Sequence, residues 1–139
     1  LVIRNPGATR PWQHVLDPLV GYLLLAHRLF ADGPQFGGGW NFGPESAGHV
    51  SVEELVAKLS AAWGGSARWQ AAAGPQSHEA LALRLDSSKA HALLGWRPLF
   101  SLDDAIELTA QWYRAWNEGA DLRALTDRQL DAALAAAPC

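Results

Sequence analysis

One loop near the start of the sequence, Arg10-Pro11-Trp12-Gln13-His14-Val15, separates a short apolar strand from a strongly apolar helix. An arginine presents a planar fork of donors that matches two phosphate oxygens at once. The Trp12 indole offers a flat apolar face, and the side chains of Gln13 and His14 can hydrogen-bond to hydroxyl groups. With the nearby Arg4, the loop is suited to hold a phosphorylated sugar. The alternative interpretation is a surface loop in which the tryptophan fills a core edge and the arginine is solvated.

The composition indicates a folded, soluble protein, and we expect it to be cytoplasmic. The 139 residues are 49% hydrophobic and 18% charged, which suffices for one modest core. The net charge of −3 argues against a nucleic-acid or membrane partner, and the apolar run 19–29 is too short to span a bilayer. The histidines lack metal-ligand spacing and Cys139 is the only cysteine, so neither a metal site nor an internal disulfide is predicted.

Hydrophobic periodicity and capping signals predict five helices. Asp17 is expected to cap the first helix, Ser51 with Glu54 the second, Ser101 with Asp104 the fourth, and Thr126 with Gln129 the last. The first helix is apolar around much of its circumference, which implies burial on more than one side. The predicted helices cover residues 17–31, 52–63, 88–94 and 102–118, followed by an alanine-rich terminal helix.

Short strands are predicted between these helices. One apolar segment ends at Arg4, a second covers Trp40–Phe42, and a third covers Ala67–Gln70. Leucines alternate with other residues along Leu81–Leu85, which is the period of a half-buried strand. The mixture of helices and short strands predicts an α/β fold.

The chain contains several other short motifs in addition to the Arg10–Val15 loop. They are Asp17-Pro18-Leu19, Trp40-Asn41-Phe42-Gly43-Pro44, His78-Glu79-Ala80, Leu94-Gly95-Trp96-Arg97-Pro98 and Trp112-Tyr113-Arg114-Ala115-Trp116. The set resembles the C-terminal part of the CDP-glucose 4,6-dehydratases, members of the extended short-chain dehydrogenase/reductase superfamily that modify nucleotide-sugars. The loop is the most specific element of this resemblance, because relatives that act on other nucleotide-sugars usually carry an acid after the arginine.

The resemblance implies how the chain is organised. Residues 1–16 would form a substrate loop, residues 17–44 a helix and strand returning to a Rossmann sheet encoded elsewhere, and residues 45–139 a small substrate-binding lobe. The sequence has no Gly-rich dinucleotide fingerprint. The Tyr-x-x-x-Lys pair of the family is also absent, since Tyr22 and Tyr113 have no lysine four residues on. We therefore expect the tail of a longer enzyme that is inactive alone, with NAD bound mainly by the missing N-terminal half.

The resemblance also implies which residues bind substrate. Arg10 would contact the diphosphate, Trp12 would shape the sugar or phosphate pocket, and Asn41 would reach the substrate from the end of its strand. His78 and Glu79 would lie at the ribose hydroxyls, for which a carboxylate supplies several acceptor sites. No catalytic residue is expected in this chain. The partner would be a nucleotide-diphosphate sugar, CDP-glucose, bound by an enzyme that is a homo-oligomer at full length.

The reaction implied by the resemblance has three stages. NAD oxidises the sugar at C4, water is lost across C5 and C6, and the hydride returns to C6 to give a 4-keto-6-deoxy sugar. Two alternatives stay open at this point. The chain could be part of another nucleotide-sugar epimerase or dehydratase of the same superfamily, or it could be a non-catalytic module that binds sugar nucleotides.

Overall fold

The computed structural model describes residues 1–64, 68–73 and 80–137. In these ranges the chain is a mixture of helices and very short strands, so the predicted α/β class is confirmed at this level. The helices are α1 (Leu16–Asp32), α2 (Val52–Trp63), α3 (Ser88–Leu94), α4 (Leu102–Asn117) and α5 (Leu122–Ala136). The strands are β1 (Val2–Ile3), β2 (Thr9–Pro11), β3 (His49–Ser51) and β4 (Gln70–Ala71).

The strands form two separate two-stranded sheets. Strand β1 runs parallel to β4, and β2 runs antiparallel to β3 with Arg10 opposite Val50. A single bridge joins Thr9 to Ala82. The pairing of β2 with β3 was not predicted, because Pro11 within the motif suggested an irregular loop. Proline is tolerated at this position because the strand lies at an edge of its sheet.

The local capping signals of α2 and α4 are confirmed. The Ser51 hydroxyl accepts a hydrogen bond from the backbone N–H of Glu54. Ser101 and Asp104 form the full reciprocal capping box at the start of α4, which pairs two N–H groups that a helix start leaves without partners. Gly64 ends α2 in the left-handed conformation with φ of 83°, where a side chain would be strained.

The main core is centred on Trp96, which is fully buried. Its ring meets the ring of Phe42 edge-to-face, with centroids 5.1 Å apart, an arrangement that aromatic pairs prefer. Helix α1 contributes Val20 to this core, and α3 contributes Ala90 and Leu94. Trp96 is therefore a packing residue of the core.

Asp17 does not cap α1, so that prediction is wrong. Helix α1 begins one residue earlier, at Leu16, and Val15 precedes it without a side-chain capping bond. The Asp17 side chain instead points into the core, where it is 0% exposed and accepts a hydrogen bond of 2.7 Å from the Leu99 N–H. Its backbone carbonyl accepts a second bond from the Trp96 indole at 3.0 Å. The carboxylate therefore joins α1 to the segment that follows α3.

Trp40–Phe42 pairs with no strand in the described part of the chain, and its pairing with a sheet encoded elsewhere stays a prediction. Side chains make the hydrogen bonds to its backbone. The Gln13 amide donates to the Phe42 carbonyl at 2.8 Å, and the Gly43 N–H donates to the Ser87 hydroxyl at 2.8 Å. An apolar run resembles a strand in the sequence, but these contacts hold it as an irregular segment.

Two further predictions are corrected at the C-terminal side. Leu81–Leu85 is not a half-buried strand, because its leucines are all exposed and only the bridge at Ala82 joins it to another strand. Helix α5 begins at Leu122 rather than near Thr126, because the Asp121 carboxylate caps it by accepting from the Ala124 N–H. The predicted strand at Ala67–Gln70 is displaced to Gln70–Ala71, and Ala67 itself lies outside the described residues.

Helix α1 carries an apolar face that nothing in the described residues covers. Val20 and Gly21 face the core, whereas several large side chains of the helix are exposed, and Phe30 reaches 93%. The exposed members are Leu19, Tyr22, Leu23, Leu29 and Phe30. Among the described helices, none has the length and apolar character that crossing a membrane requires.

The first prediction concerns the pH dependence of stability that Asp17 creates. Burial raises the pKa of the Asp17 carboxyl, and the backbone N–H groups of Leu99 and Phe100 oppose that rise. In Asp17→Asn the amide oxygen can still accept from Leu99 but cannot ionise. Because the folded state keeps the Asp17 proton to a higher pH than the unfolded state, wild-type stability relative to the variant should fall as pH rises above about 4.

Denaturant unfolding of the purified wild-type and Asp17→Asn proteins at a series of pH values measures this difference. If the stability of the wild type relative to Asp17→Asn rose with pH, the assignment would be contradicted, because folding would then lower the pKa of Asp17.

The second prediction concerns the contact between Gly21 of α1 and the Phe42 ring. A Cβ atom built on Gly21 would lie 2.6 Å from Phe42 Cε1 and 2.8 Å from Cγ. Alanine normally stabilises a helix interior by about 1 kcal/mol relative to glycine. Here crowding should outweigh that gain, and we expect Gly21→Ala to lower the free energy of unfolding by about 1–2 kcal/mol.

The matched control for this substitution is Gly7→Ala. A Cβ atom at Gly7 meets nothing within 4 Å, so its effect should stay within about 0.5 kcal/mol. Chemical denaturation of both variants provides the comparison, and a stabilised Gly21→Ala protein would show that α1 does not pack closely on Phe42.

Candidate functional site

The candidate site is a hollow of about 240 Å³ beside β2. Arg4, Arg10 and Trp12 are among its lining residues. The described lining residues include two arginines and no aspartate or glutamate. The hollow is lined by Ile3, Arg4, Asn5, Ala8, Arg10, Trp12 and Val52, and we call it the Arg10 hollow.

Arg10 is placed by strand pairing and by carbonyl groups. It lies on β2 opposite Val50 and is half-buried. Its Nη1 donates to the Thr9 carbonyl at 2.8 Å and to the Ala80 carbonyl at 3.0 Å. The side chain is therefore tied both to its own strand and to a segment seventy residues away. These two hydrogen bonds fix the direction of the guanidinium group.

Trp12 has both a structural contact and a place in the hollow. Its indole N–H donates to the Val50 carbonyl at 3.0 Å, which satisfies the only donor of the ring. The ring also borders an internal space of about 190 Å³ between α2 and α4. Trp12 therefore fills a core edge and lines the candidate site at the same time, so both interpretations of the loop apply to it.

His14 fixes the loop and does not line the Arg10 hollow. The imidazole is buried, its Nδ1 accepts from the Leu16 N–H at 3.3 Å, and its ring packs edge-on against Phe100. Burial lowers the pKa of His14, which favours the neutral form that can accept this bond.

Asn41 lies apart from Arg10 and Trp12. It is exposed on the irregular segment before Gly43, and its amide donates to the Asp86 carbonyl at 3.2 Å. It is not among the residues that line the Arg10 hollow. The structure thus brings Arg10 and Trp12 together and leaves Asn41 beside the start of α3. Its contact with substrate stays a prediction.

His78 and Glu79, the two residues predicted at the ribose, lie outside the described residues. The following residue, Ala80, is described, and its carbonyl accepts the bond from Arg10. The roles of His78 and Glu79 therefore stay predictions.

The structure also places Arg4 and Gln13, two residues for which the resemblance implied no role. Arg4 was noted as a second guanidinium, but only the structure places it in the wall shared with Arg10. Gln13 holds the loop onto the Phe42 carbonyl. The signal in the sequence was their proximity to the motif, which gave no direction for either side chain.

A larger hollow lies elsewhere and has a different character. Its volume is about 290 Å³, and it is lined mainly by apolar and aromatic side chains of α4 and the start of α1, including Leu16, Trp112 and Tyr113. It contains no arginine or lysine, so it lacks the charged donors that a phosphate group requires. The Arg10 hollow, although smaller, has the chemistry for an anionic ligand.

The described residues do not supply a cradle for a dinucleotide cofactor. Such a cradle needs a Gly-rich turn that leads from a strand directly into a helix. The Gly37–Gly39 triplet follows a 3-10 turn and leads into the irregular Trp40–Phe42 segment, so no helix start faces it. Within the same ranges, no cluster of three histidine, cysteine, aspartate or glutamate side chains could hold a metal ion.

The chain is similar to part of a known enzyme. No family model matches the sequence. The chain is 42% identical over 130 residues to the CDP-glucose 4,6-dehydratase of Salmonella typhimurium. The match covers 94% of this chain and 36% of that enzyme, so the chain spans about a third of the length of this curated relative. The resemblance found in the motifs is confirmed: the chain is similar to the C-terminal part of a CDP-glucose 4,6-dehydratase.

Proposed function

We propose that this chain is the substrate-binding, C-terminal part of an NAD-dependent CDP-glucose 4,6-dehydratase, which forms CDP-4-keto-6-deoxyglucose. The observation that supports this most is the 42% identity over 94% of the chain. The Arg10 hollow adds a physical reason, because its arginines match the diphosphate of a nucleotide-sugar. The homo-oligomeric state and the cytoplasmic location implied by the resemblance stay predictions.

The chain contributes binding at the nucleotide-diphosphate end of the substrate. Arg10 binds the diphosphate, and Trp12 provides a flat wall beside it. Asn41, His78 and Glu79 bind the sugar and the ribose hydroxyls. Binding energy at groups that do not react can position the sugar for chemistry at another part of the enzyme. No catalytic role is proposed for these five residues.

The overall reaction is balanced without an external oxidant. The C4 hydroxyl of the glucose becomes a ketone, the C6 hydroxymethyl group becomes a methyl group, and one water is lost. The described residues provide no cradle for NAD, so its binding and the hydride chemistry belong to the rest of the enzyme. What this chain supplies is the fixed position of the diphosphate.

The apolar face of α1 suggests where the rest of the enzyme packs. Leu23 and Phe30 are exposed on α1, and a contiguous apolar surface of this kind is normally covered. We propose that α1 packs on the Rossmann sheet of the full-length enzyme. The segment 45–139 then forms the substrate lobe.

The third prediction tests the role of Arg10 in the full-length enzyme. Replacing Arg10 with alanine removes a charged hydrogen-bond donor from the diphosphate. We expect the Michaelis constant for CDP-glucose to rise about 30- to 150-fold, which corresponds to roughly 2–3 kcal/mol. Initial-rate kinetics and calorimetric titration with CDP measure this loss.

Two control variants separate binding from structure. Arg10→Lys keeps the positive charge but cannot form the bidentate contact, so its loss of affinity should be intermediate. Arg128→Ala removes one charge from an exposed position on α5 and should bind CDP as the wild type does. Wild-type affinity in Arg10→Ala would show that this guanidinium does not contact the diphosphate.

The base and the reaction are tested on the same protein. Turnover of CDP-glucose should exceed that of the dTDP-, UDP- and GDP-sugars, and a new C6 methyl signal in the proton NMR spectrum identifies the product. Preference for another base would point to a different nucleotide-sugar enzyme, and binding without turnover would favour a non-catalytic module.

A further inference from the structure

We infer that Arg4 is a second binding residue for the diphosphate and acts with Arg10 across the same hollow. This inference rests on the proposed function, because it extends the substrate contacts of that site. It assigns Arg4, for which the resemblance implies no role, to the phosphate that Arg10 does not neutralise.

A tight turn brings the two arginines together. The Ala8 N–H donates to the Asn5 carbonyl at 3.1 Å, so the chain reverses between the end of β1 and the start of β2. Arg4 precedes this turn and Arg10 follows it, and both line the Arg10 hollow. The reversal therefore brings both arginine residues to one hollow, although six positions separate them in the sequence.

The first turn of α2 holds this chain reversal in place. The Val52 N–H donates to the Ala8 carbonyl and the Glu53 N–H donates to the Pro6 carbonyl, each at 3.0 Å. Val52 also lines the hollow. Because these bonds attach the turn to a helix start, the backbone between the two arginines is fixed before a ligand arrives, and less conformational entropy is lost on binding.

Arg4 and Arg10 differ in their hydrogen-bond partners within the described residues. Arg10 donates to the carbonyls of Thr9 and Ala80, whereas Arg4 is exposed. No described side chain or carbonyl accepts a hydrogen bond from Arg4, and it forms no ion pair within the described ranges. An exposed cation with no hydrogen-bond or ion-pair partner among the described residues can gain a charged hydrogen bond from an anionic ligand. A nucleoside diphosphate, with charge on two adjacent phosphates, matches two guanidinium groups better than a monophosphate does.

The test compares CDP with CMP as calorimetric probes of the full-length protein. The wild type should bind CDP more tightly than CMP. Arg4→Ala should weaken CDP binding by about 10-fold or more and should weaken CMP binding less, so that the preference for the second phosphate shrinks. Arg4→Lys should retain part of the preference because it keeps the charge, and its dependence on salt should match that of the wild type.

The matched control is Arg128→Ala, which makes the same change in net charge on α5, away from the hollow. If Arg4→Ala binds CDP as tightly as Arg128→Ala does, Arg4 is only a solvated side chain and the inference is wrong. An equal loss for CDP and CMP also overturns it, because Arg4 would then act on the nearer phosphate or on the fold.

The nucleotide preference of the wild-type protein tests the proposed function independently of the Arg4 variants. A wild type that prefers dTDP or UDP to CDP contradicts the proposed substrate, and the Arg4 inference is then judged from the same comparison of diphosphate with monophosphate for that base. A wild type that binds no nucleoside diphosphate contradicts both.

Discussion

The buried carboxylate of Asp17 is the contact on which the arrangement of the described chain depends. Its Oδ1 accepts from the Leu99 N–H, and its backbone carbonyl accepts from the Trp96 indole. Loss of this carboxylate would leave the part-buried Leu99 N–H without its acceptor. A fully buried N–H without a partner lowers the free energy of unfolding by about 1–3 kcal/mol. Because Asp17 lies in the first turn of α1, these bonds also fix where α1 begins. The loop that carries Arg10 ends where α1 begins, so these bonds also fix the position of the end of the loop.

The fold was predictable where the signal is local. Ser101 and Asp104 are three residues apart, and their reciprocal bonds follow from helix geometry alone. Asp17 before Pro18 has the same local signature of a helix start, yet its partner is Leu99, 82 positions away. No local pattern encodes that contact. Trp40–Phe42 shows the same limit, because side chains distant in sequence decide its backbone hydrogen bonds.

The candidate site also has features that local sequence predicts and features that depend on contacts distant in sequence. The chemistry of Arg10 and Trp12 could be inferred from residue types within one motif, and the structure places both at one hollow. The position of Arg4 could not be inferred from the motif. It depends on the turn at Asn5–Ala8 and on the hydrogen bonds between that turn and α2. Asn41 was expected at the end of a strand, and with no strand there its side chain is directed by a bond to the Asp86 carbonyl.

Trp12 shows why the site and the core cannot be separated. Its ring lines the Arg10 hollow on one side and the space between α2 and α4 on the other. Its N–H is held by β3 through the Val50 carbonyl. Lys58 of α2 also pairs with Asp103 of α4 at 2.8 Å, but this pair is exposed and such pairs contribute little. Trp12 therefore belongs both to the packing between the two helices and to the lining of the hollow.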